Sequence, residues 1–187
     1  MEKRKVEFEL LESMLGTVPK NKQLYQDWIA SKAENGVEDE VATVVDGEKG
    51  LTGFHQDDVG IYVMDYFIKG FFKSTANAYK EILKVKNMAS KMTNFMFIFP
   101  RMICIGDKPD GILERPLRAQ TAQGPRVTLA SSEYVDAGTR FSFFIGLIPH
   151  KEITWDRIEA IMDFGAEGIG LGQWRNASHG RFKWSWS

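Results

Sequence analysis

The chain has 187 residues, of which 43% are hydrophobic, 12% aromatic and 26% charged. This length and apolar content predict one or at most two globular domains and exclude a disordered chain, a coiled coil and a collagen-like repeat. The formal net charge of −1 favours neither a nucleic acid nor a membrane as a partner, and the single cysteine excludes an internal disulfide and a cysteine-based zinc site. No apolar run has the length of a membrane span, so we expect a soluble cytoplasmic protein with no membrane partner.

The charges are distributed unevenly along the chain. Residues 33–58 contain eight acids and one base, which predicts an acidic surface insertion. Residues 101–126 contain five cations and three acids, and the last twenty residues contain three cations and no acid. Two basic segments can form a basic face on a neutral protein, although a mixed solvated surface explains the same composition.

In chain order, the first strand is predicted at 6–10, where apolar and charged residues alternate. Asn21 is predicted to cap a short helix, which the acidic insertion follows. A second strand is predicted at 60–64, and from Tyr66 the apolar spacing becomes that of a helix. Gly70 lies inside this helix at a cost of up to about 1 kcal/mol relative to alanine, which predicts a packing or contact role for it.

The second half of the chain is predicted to place strands around one more helix. The predicted strands are 95–99, 102–105, 126–130, 140–148 and 182–186. Strand 140–148 is apolar on both faces, as is typical of the middle of a covered sheet. Thr154 is predicted to cap the helix, and Gly165 and Gly168 are predicted to end it. This order favours an α+β fold with helices on one face of a mainly antiparallel sheet.

No repeat and no linker divides the chain, so residues 1–187 are predicted to form a single domain with the acidic insertion 33–58.

The segment 165–182 contains five glycines, two arginines and a tryptophan between a helix and a strand. Glycines allow positive φ and let a polyanion approach the main-chain N–H groups. Arg175 and Arg181 can bind phosphates, and Trp174 can stack on a base. The alternative is a tight connection whose glycines only solve a packing problem. A dinucleotide-binding fingerprint is excluded because it requires a strand before the loop and a helix after it.

Three parts of the sequence resemble RAMP proteins, the RNA-binding Cas5, Cas6 and Cas7 components of CRISPR systems. Gly168-Ile-Gly170, Arg175 and Gly180-Arg181-Phe182 resemble the family's C-terminal glycine-rich loop. Ile68-Lys-Gly-Phe-Phe-Lys73 is similar to its central motif of apolar, Lys, Gly, apolar, any residue and Arg or Lys. Residues 8–16 look like its first strand and the following turn. His179 departs from the pattern, because an aromatic or small residue is common there.

The resemblance implies a ferredoxin-like (RRM-like) fold with RNA as the partner. It also implies proteins of a CRISPR complex as partners, and a freestanding relative from a phage or another mobile element is an equal alternative. No cofactor is implied, and the sequence leaves an oligomer open. The RNA-binding residues predicted on this basis are Lys69, Gly170, Gly172, Arg175 and Arg181. Trp174, which can stack on a base, and His179, which lies inside the loop, are predicted to bind RNA with them.

A second basic segment, 114–126, contains three arginines and almost no apolar side chain. Arginine binds phosphates, and glutamine can hydrogen-bond to base or ribose edges. Arg115, Arg118, Gln120 and Arg126 are therefore predicted to bind RNA. The alternative is a solvent-exposed hairpin with ordinary polar residues.

Binding is favoured over catalysis, and two alternatives remain. The first is a metal-independent endoribonuclease similar to Cas6, for which His55 and His179 are the catalytic candidates. The second is a phage-encoded mimic of a CRISPR subunit, an anti-CRISPR or related anti-defence protein that binds protein through an apolar and aromatic surface such as Trp174, Trp184 or Trp186. No metal site is predicted, because nothing fixes the geometry of the three nearby aspartates, Asp57, Asp58 and Asp65.

Overall fold

The structure of the protein, a computed structural model, describes residues 1–21, 50–121 and 124–187, with the backbone alone at 117–121 and 124–128. The chain divides into two compact units. The first comprises Met1–Met14, Tyr62–Ile105 and Asp136–Ser187, and the second comprises Leu15–Ile61 and Gly106–Val135. The helix predicted after Asn21 and residues 33–49 of the acidic insertion lie outside the described residues. That the chain is one domain stays a prediction.

Strands and helices are numbered here in chain order. The strands are β1 (Glu2–Leu10), β2 (Met14–Leu15), β3 (Val18–Pro19), β4 (Leu51–Gly53), β5 (His55–Gln56), β6 (Ile61–Met64), β7 (Met96–Phe99), β8 (Met102–Gly106), β9 (Gly111–Thr121), β10 (Gly124–Val135), β11 (Arg140–Leu147) and β12 (Phe182–Trp186). The helices in the described part of the chain are α1 (Asp65–Ala78), α2 (Lys80–Leu83), α3 (Met88–Phe95) and α4 (Trp155–Gly168). The predicted α+β class with antiparallel sheets is confirmed. No helix within the described ranges combines the length and the apolar character needed to cross a membrane.

The first unit is built on a four-stranded sheet with the order β12-β1-β11-β7. Each neighbouring pair in it is antiparallel. In sequence, α1 lies between β1 and β7, and α4 lies between β11 and β12. The sheet therefore joins the two ends of the chain, with β1 in its interior and β12 at its edge.

One face of this sheet is covered by α1 and α4. The ring of Phe8 in β1 stacks on Phe182 of β12 at 4.1 Å between centroids and meets Phe71 of α1 edge-on at 6.3 Å. The side chains of β12 that follow Phe182 on this face contact α4: Trp184 Nε1 donates to Asp163 and Trp186 Nε1 donates to Glu159. The helices predicted from apolar spacing are thus confirmed, and their apolar stripes form the core with β1, β11 and β12.

Two expectations about this unit are corrected, and one helix in it was not expected. The side chain of Phe144 is 41% exposed while Phe143 and Ile145 are buried, so β11 is covered on one face rather than on both. A Cβ built on Gly70 meets no atom of the described residues within 4 Å, which removes the packing role predicted for this glycine. Helix α3 was not predicted, because only two of its eight residues, Met88 and Met92, are buried.

The second unit contains the long antiparallel hairpin of β9 and β10. Its register runs from Gly111 opposite Tyr134 to Thr121 opposite Gly124. The strand predicted at 126–130 therefore lies within β10, and the described residues of segment 114–126, which are 114–121 and 124–126, belong to β9 and β10. β4 runs parallel to β10 and antiparallel to β3.

Candidate nucleic-acid interface

The glycine-rich loop begins where α4 ends. The N–H groups of Ile169 and Gly170 both donate to the carbonyl of Gly165, at 2.9 and 2.8 Å. Gly170 then has a φ of +74°, and a Cβ at this position would lie 2.8 Å from the carbonyl oxygen of His179. Glycine is required here because the chain turns into the left-handed region and passes close to its own return strand.

The base of the loop is closed by backbone hydrogen bonds. Leu171 N–H donates to the Gly180 carbonyl at 2.8 Å, and Gly180 N–H donates to the Ser13 carbonyl at 2.9 Å. Gly180 has a φ of +73°, and a Cβ on it would overlap the carbonyl oxygen of Leu171. The Leu171 side chain is buried at 1% exposure and anchors the loop in the core.

The tip of the loop presents Arg175 and Trp174. A single turn of 3-10 helix, Arg175–Ala177, is flanked by Trp174 and Ser178, both in the left-handed region. The side chain of Arg175 is exposed. The indole of Trp174 stacks on the His179 ring at 5.1 Å with 22° between the planes, and 42% of the tryptophan remains exposed. His179 Nδ1 in turn lies 3.0 Å from Ser13 Oγ, so a hydrogen bond holds this ring.

Arg181 lies at the exit of the loop. Its carbonyl accepts hydrogen bonds from Leu11 N–H at 2.7 Å and from Glu12 N–H at 3.2 Å. Its half-buried side chain borders a groove of about 770 Å³ that α4 and β12 line. Within the described ranges neither Arg175 nor Arg181 forms an ion pair, whereas Lys183 Nζ binds the Glu9 carboxylate at 2.8 Å. The two arginines therefore have charge available for an anionic ligand.

Lys69 belongs to the same unit but has other contacts. Its Nζ lies 3.6 Å from the Asp65 carboxylate, one turn earlier on α1, and 5.6 Å from the centroid of the Phe97 ring. No contact found among the described residues joins Lys69 to the glycine-rich loop. The structure thus brings together the predicted residues from Gly170 to Arg181 and leaves Lys69 beside β7.

The four predicted residues of the hairpin lie in the second unit. Arg115 is buried at 6% exposure, and its Nη1 donates to Ser132 Oγ at 3.3 Å, which differs from the exposed position expected for it. Ser132 lies on β10, and this cross-strand partner fixes the guanidinium inside the unit. Arg118 and Gln120 lie on β9 and Arg126 on β10, in the part described by its backbone alone.

His55, one of the two catalytic candidates, is buried in β5 of the second unit at 2% exposure. Burial, with a smaller contribution from the Lys20 ammonium, lowers the pKa of His55 to about 4, so the imidazole is neutral at pH 7. Asp57 accepts hydrogen bonds from the backbone N–H groups of Val59 and Gly60 at 2.9 and 3.1 Å. Its carboxylate thus holds a turn. In the part of the chain that the structure describes, no three histidine, cysteine or acidic side chains lie together as metal ligands.

Sequence reasoning missed Ser13, whose carbonyl and hydroxyl both contact the loop. No local pattern identifies it, because its partner His179 is 166 residues away. Two tryptophans assigned to an exposed protein-binding surface, Trp184 and Trp186, are half-buried and hydrogen-bonded to α4. Trp174 is exposed as expected.

The solved structures similar to this chain include chains of CRISPR effector complexes. One is from a type IV-B CRISPR complex, with 10% identity over 100% of this chain and 90% of that chain and a TM-score of 0.49. Another is from the type III-B Cmr-beta complex bound to cognate target RNA, with 12% identity over 98% of this chain and 59% of that chain and a TM-score of 0.46. No protein-family model and no curated protein sequence matches the chain.

Proposed function

We propose that this is an RNA-binding protein of the RAMP type that holds single-stranded or guide-like RNA by its backbone. The observation that supports this most directly is the closed loop, which presents Arg175 and the partly exposed indole of Trp174 at its tip and Arg181 at its exit. A guanidinium binds a phosphate through two parallel hydrogen bonds, and an indole stacks on any base. Both contacts depend little on sequence, so we expect binding with little base selectivity.

The strand order of the first unit supports the finer proposal of a ferredoxin-like fold. Such a fold follows the order strand, helix, strand, strand, helix, strand. β1, α1, β7, β11, α4 and β12 of this unit follow one another in that order. β2 to β6 lie between β1 and α1, α2 and α3 follow α1, and β8 to β10 lie between β7 and β11. The sheet order β12-β1-β11-β7 places the first and third strands of the motif in the interior.

The closed base of the loop favours binding because it fixes the backbone before a ligand arrives. Leu171 N–H donates to the Gly180 carbonyl, and Gly180 N–H donates to the Ser13 carbonyl. These two hydrogen bonds hold both ends of the loop in place. A loop that is already ordered loses less conformational entropy on binding. Lys69 and the hairpin residues Arg115, Arg118, Gln120 and Arg126 are proposed as further RNA contacts, for which Arg115 has to leave its buried position.

The test compares two double variants of equal charge change. Arg175→Ala/Arg181→Ala removes both loop arginines, and Lys80→Ala/Lys86→Ala removes two exposed lysines outside the loop. We expect the arginine variant to weaken binding of a fluorescein-labelled single-stranded RNA and to lower the slope of log Kobs against log salt by about 1.4, from about 0.7 per phosphate contact. The lysine variant is expected to keep the wild-type slope.

Equal behaviour of the two double variants contradicts the proposal, because the loop would then add only to the overall charge. The RNA itself, recovered and run on a denaturing gel, tests the endoribonuclease alternative, since discrete products indicate turnover. A wild-type protein that binds no added RNA and co-purifies with none overturns the proposal and directs the search to proteins of CRISPR complexes as partners.

A further inference from the structure

We propose that the open face of the four-stranded sheet is a second contact for single-stranded RNA, where bases stack on Phe99 and Phe144. The surface formed by Phe97, Phe99, Phe144, Lys3 and Lys5 is called the aromatic face below. The identity of the ligand rests on the proposed function, but none of these five residues belongs to the glycine-rich loop.

The register of the sheet places the five residues side by side. Phe144 of β11 lies opposite Lys5 of β1 on one side and Phe99 of β7 on the other. Residues directly opposite each other in antiparallel strands have side chains on the same face. Residues two positions away on each strand share this face. They form a second row in which Gly146 lies opposite Lys3 on one side and Phe97 on the other. The result is two adjacent rows across three strands.

The aromatic rings of these rows are accessible rather than packed under a helix. Phe144 is 41% exposed, and Phe97 and Phe99 are half-exposed, whereas Ile145 on the opposite face is fully buried. Gly146 lies beneath the side chains of Met1 and Phe99, because a Cβ there would lie 2.9 Å from Met1 Sδ and 3.1 Å from Phe99 Cε2. The ring that a flat base reaches most directly from the open side of the sheet is therefore that of Phe144.

Positive charge surrounds these rings. Lys3 Nζ lies over the Phe99 ring, 4.2 Å from its centroid, so a base that stacks on this face of Phe99 displaces the lysine towards the phosphates. Lys5 lies opposite Phe144 in register. Among the described residues, no acid forms an ion pair with Lys3 or Lys5. This end of the sheet face thus has cations available for phosphates.

The acids of the same sheet face, Glu7 and Glu9, follow Lys5 along β1 and have other partners. Glu9 binds Arg140 at 2.7 Å and Lys183 at 2.8 Å, and the Glu7 carboxylate lies 3.8 Å from Arg140. These carboxylates are therefore paired with Arg140 and Lys183, and they do not pair with the lysines of the aromatic face.

The combination of exposed rings and uncompensated lysines selects the occupant. An apolar protein surface would cover the rings but would bury the ammonium groups of Lys3 and Lys5 without a counter-charge, which is unfavourable. A single-stranded nucleic acid offers a π-face to each ring and a phosphate to each lysine. Stacking on one aromatic side chain strengthens binding by about 5- to 150-fold per base.

The test is the double variant Phe99→Leu/Phe144→Leu, which keeps apolar side chains in the strands and removes the π-faces. We expect the Kd for a single-stranded RNA to rise by about 10-fold or more, with an unchanged salt slope because no phosphate contact is lost. A 2-aminopurine base in the same RNA should lose the part of its fluorescence quenching that stacking causes. Ile82→Ala removes an exposed apolar side chain on α2 and is the control.

A second variant, Lys3→Ala/Lys5→Ala, keeps the rings and is expected to lower the salt slope by about 1.4. Circular dichroism of each variant verifies that the sheet is retained. If the phenylalanine variant does not fold, a lysine variant with an unchanged slope still overturns the inference.

The outcomes separate this inference from the proposed function. Wild-type affinity in the phenylalanine variant, together with loss of binding in Arg175→Ala/Arg181→Ala, overturns the aromatic face and leaves the loop intact as a site. Weaker RNA binding in the phenylalanine variant, together with wild-type affinity in Arg175→Ala/Arg181→Ala, supports the aromatic face as a site and contradicts the loop as one. No RNA binding by the wild-type protein overturns both. A phenylalanine variant that changes only the sedimentation coefficient identifies the surface as an interface between copies, which also overturns the inference.

Discussion

Replacement of Gly180 by alanine tests the closed base of the glycine-rich loop. A Cβ at this position overlaps the Leu171 carbonyl oxygen and lies 2.6 Å from the Leu171 nitrogen, both backbone atoms that cannot turn away. Gly138 is a matched control, because its φ of +87° is also left-handed but a Cβ there meets nothing described within 4 Å. Both glycines belong to the first unit, and each N–H is hydrogen-bonded to a backbone carbonyl.

The left-handed conformation costs an L-residue about 1–2 kcal/mol, so Gly138→Ala should lower the free energy of unfolding by about that amount. Gly180→Ala has the same cost and adds overpacking against backbone, of about 1–3 kcal/mol, for a total of about 2–5 kcal/mol. Urea unfolding followed by tryptophan fluorescence measures both variants, because Trp155, Trp174, Trp184 and Trp186 all belong to the first unit. Equal losses in the two variants would refute the close approach of Leu171 and Gly180.

Three further predictions use urea unfolding followed by far-UV circular dichroism, because His55 and Lys20 belong to the second unit and the four tryptophans to the first. The pKa of His55 is lowered to about 4 in the folded state, so the unfolded state binds the proton more readily between about pH 6.5 and pH 4. The stability that neutral His55 contributes is therefore complete above about pH 6.5, and up to about 3 kcal/mol of it is lost as the pH falls towards 4. His55→Gln should remove this pH dependence of the free energy of unfolding. An unchanged pH dependence would be evidence against the burial of His55. Lys20→Ala breaks a buried ion pair with Glu133 at 3.2 Å and should lower the free energy of unfolding by about 3–5 kcal/mol. The double variant Lys20→Met/Glu133→Gln should restore most of this loss. A loss below about 1 kcal/mol in Lys20→Ala would instead be that of an exposed ion pair. Gly70→Ala fills open space in α1 and should stabilise the protein by about 0.5–1 kcal/mol, whereas destabilisation would reveal a steric contact at this position.

The strands at the two ends of the chain are predictable from sequence because each has one buried face. Val6 and Phe8 of β1 are buried, and Trp186 and Trp184 lie opposite them in β12, while the alternate residues are polar. A two-residue period specifies both the strand and its inward face. Helix α4 is predictable for the corresponding reason, since Ile158, Ile161 and Met162 fall on one buried face.

The open face of β11 is not predictable in this way. Phe143 and Phe144 are both large and apolar, so the strand has no polar side that would mark the solvent. The register with Lys5 and Phe99, which are distant in sequence, decides that Phe144 lies on the open face. The burial of His55 and Arg115 has the same origin, because it depends on residues such as Ser132 that no local pattern identifies.

The loop itself combines a predictable part with an unpredictable one. Its glycines are recognisable because positive φ and close backbone approach leave few other residue types at Gly170 and Gly180. Its position depends on the segment after β1, where Ser13 contacts both Gly180 and His179 and where two N–H groups bind the Arg181 carbonyl. Because these contacts are mainly between backbone groups, they hold the frame without constraining the side chains at its tip. Substitution at Arg175 should therefore change what the loop binds while leaving its fold intact, and substitution at Gly180 should do the opposite.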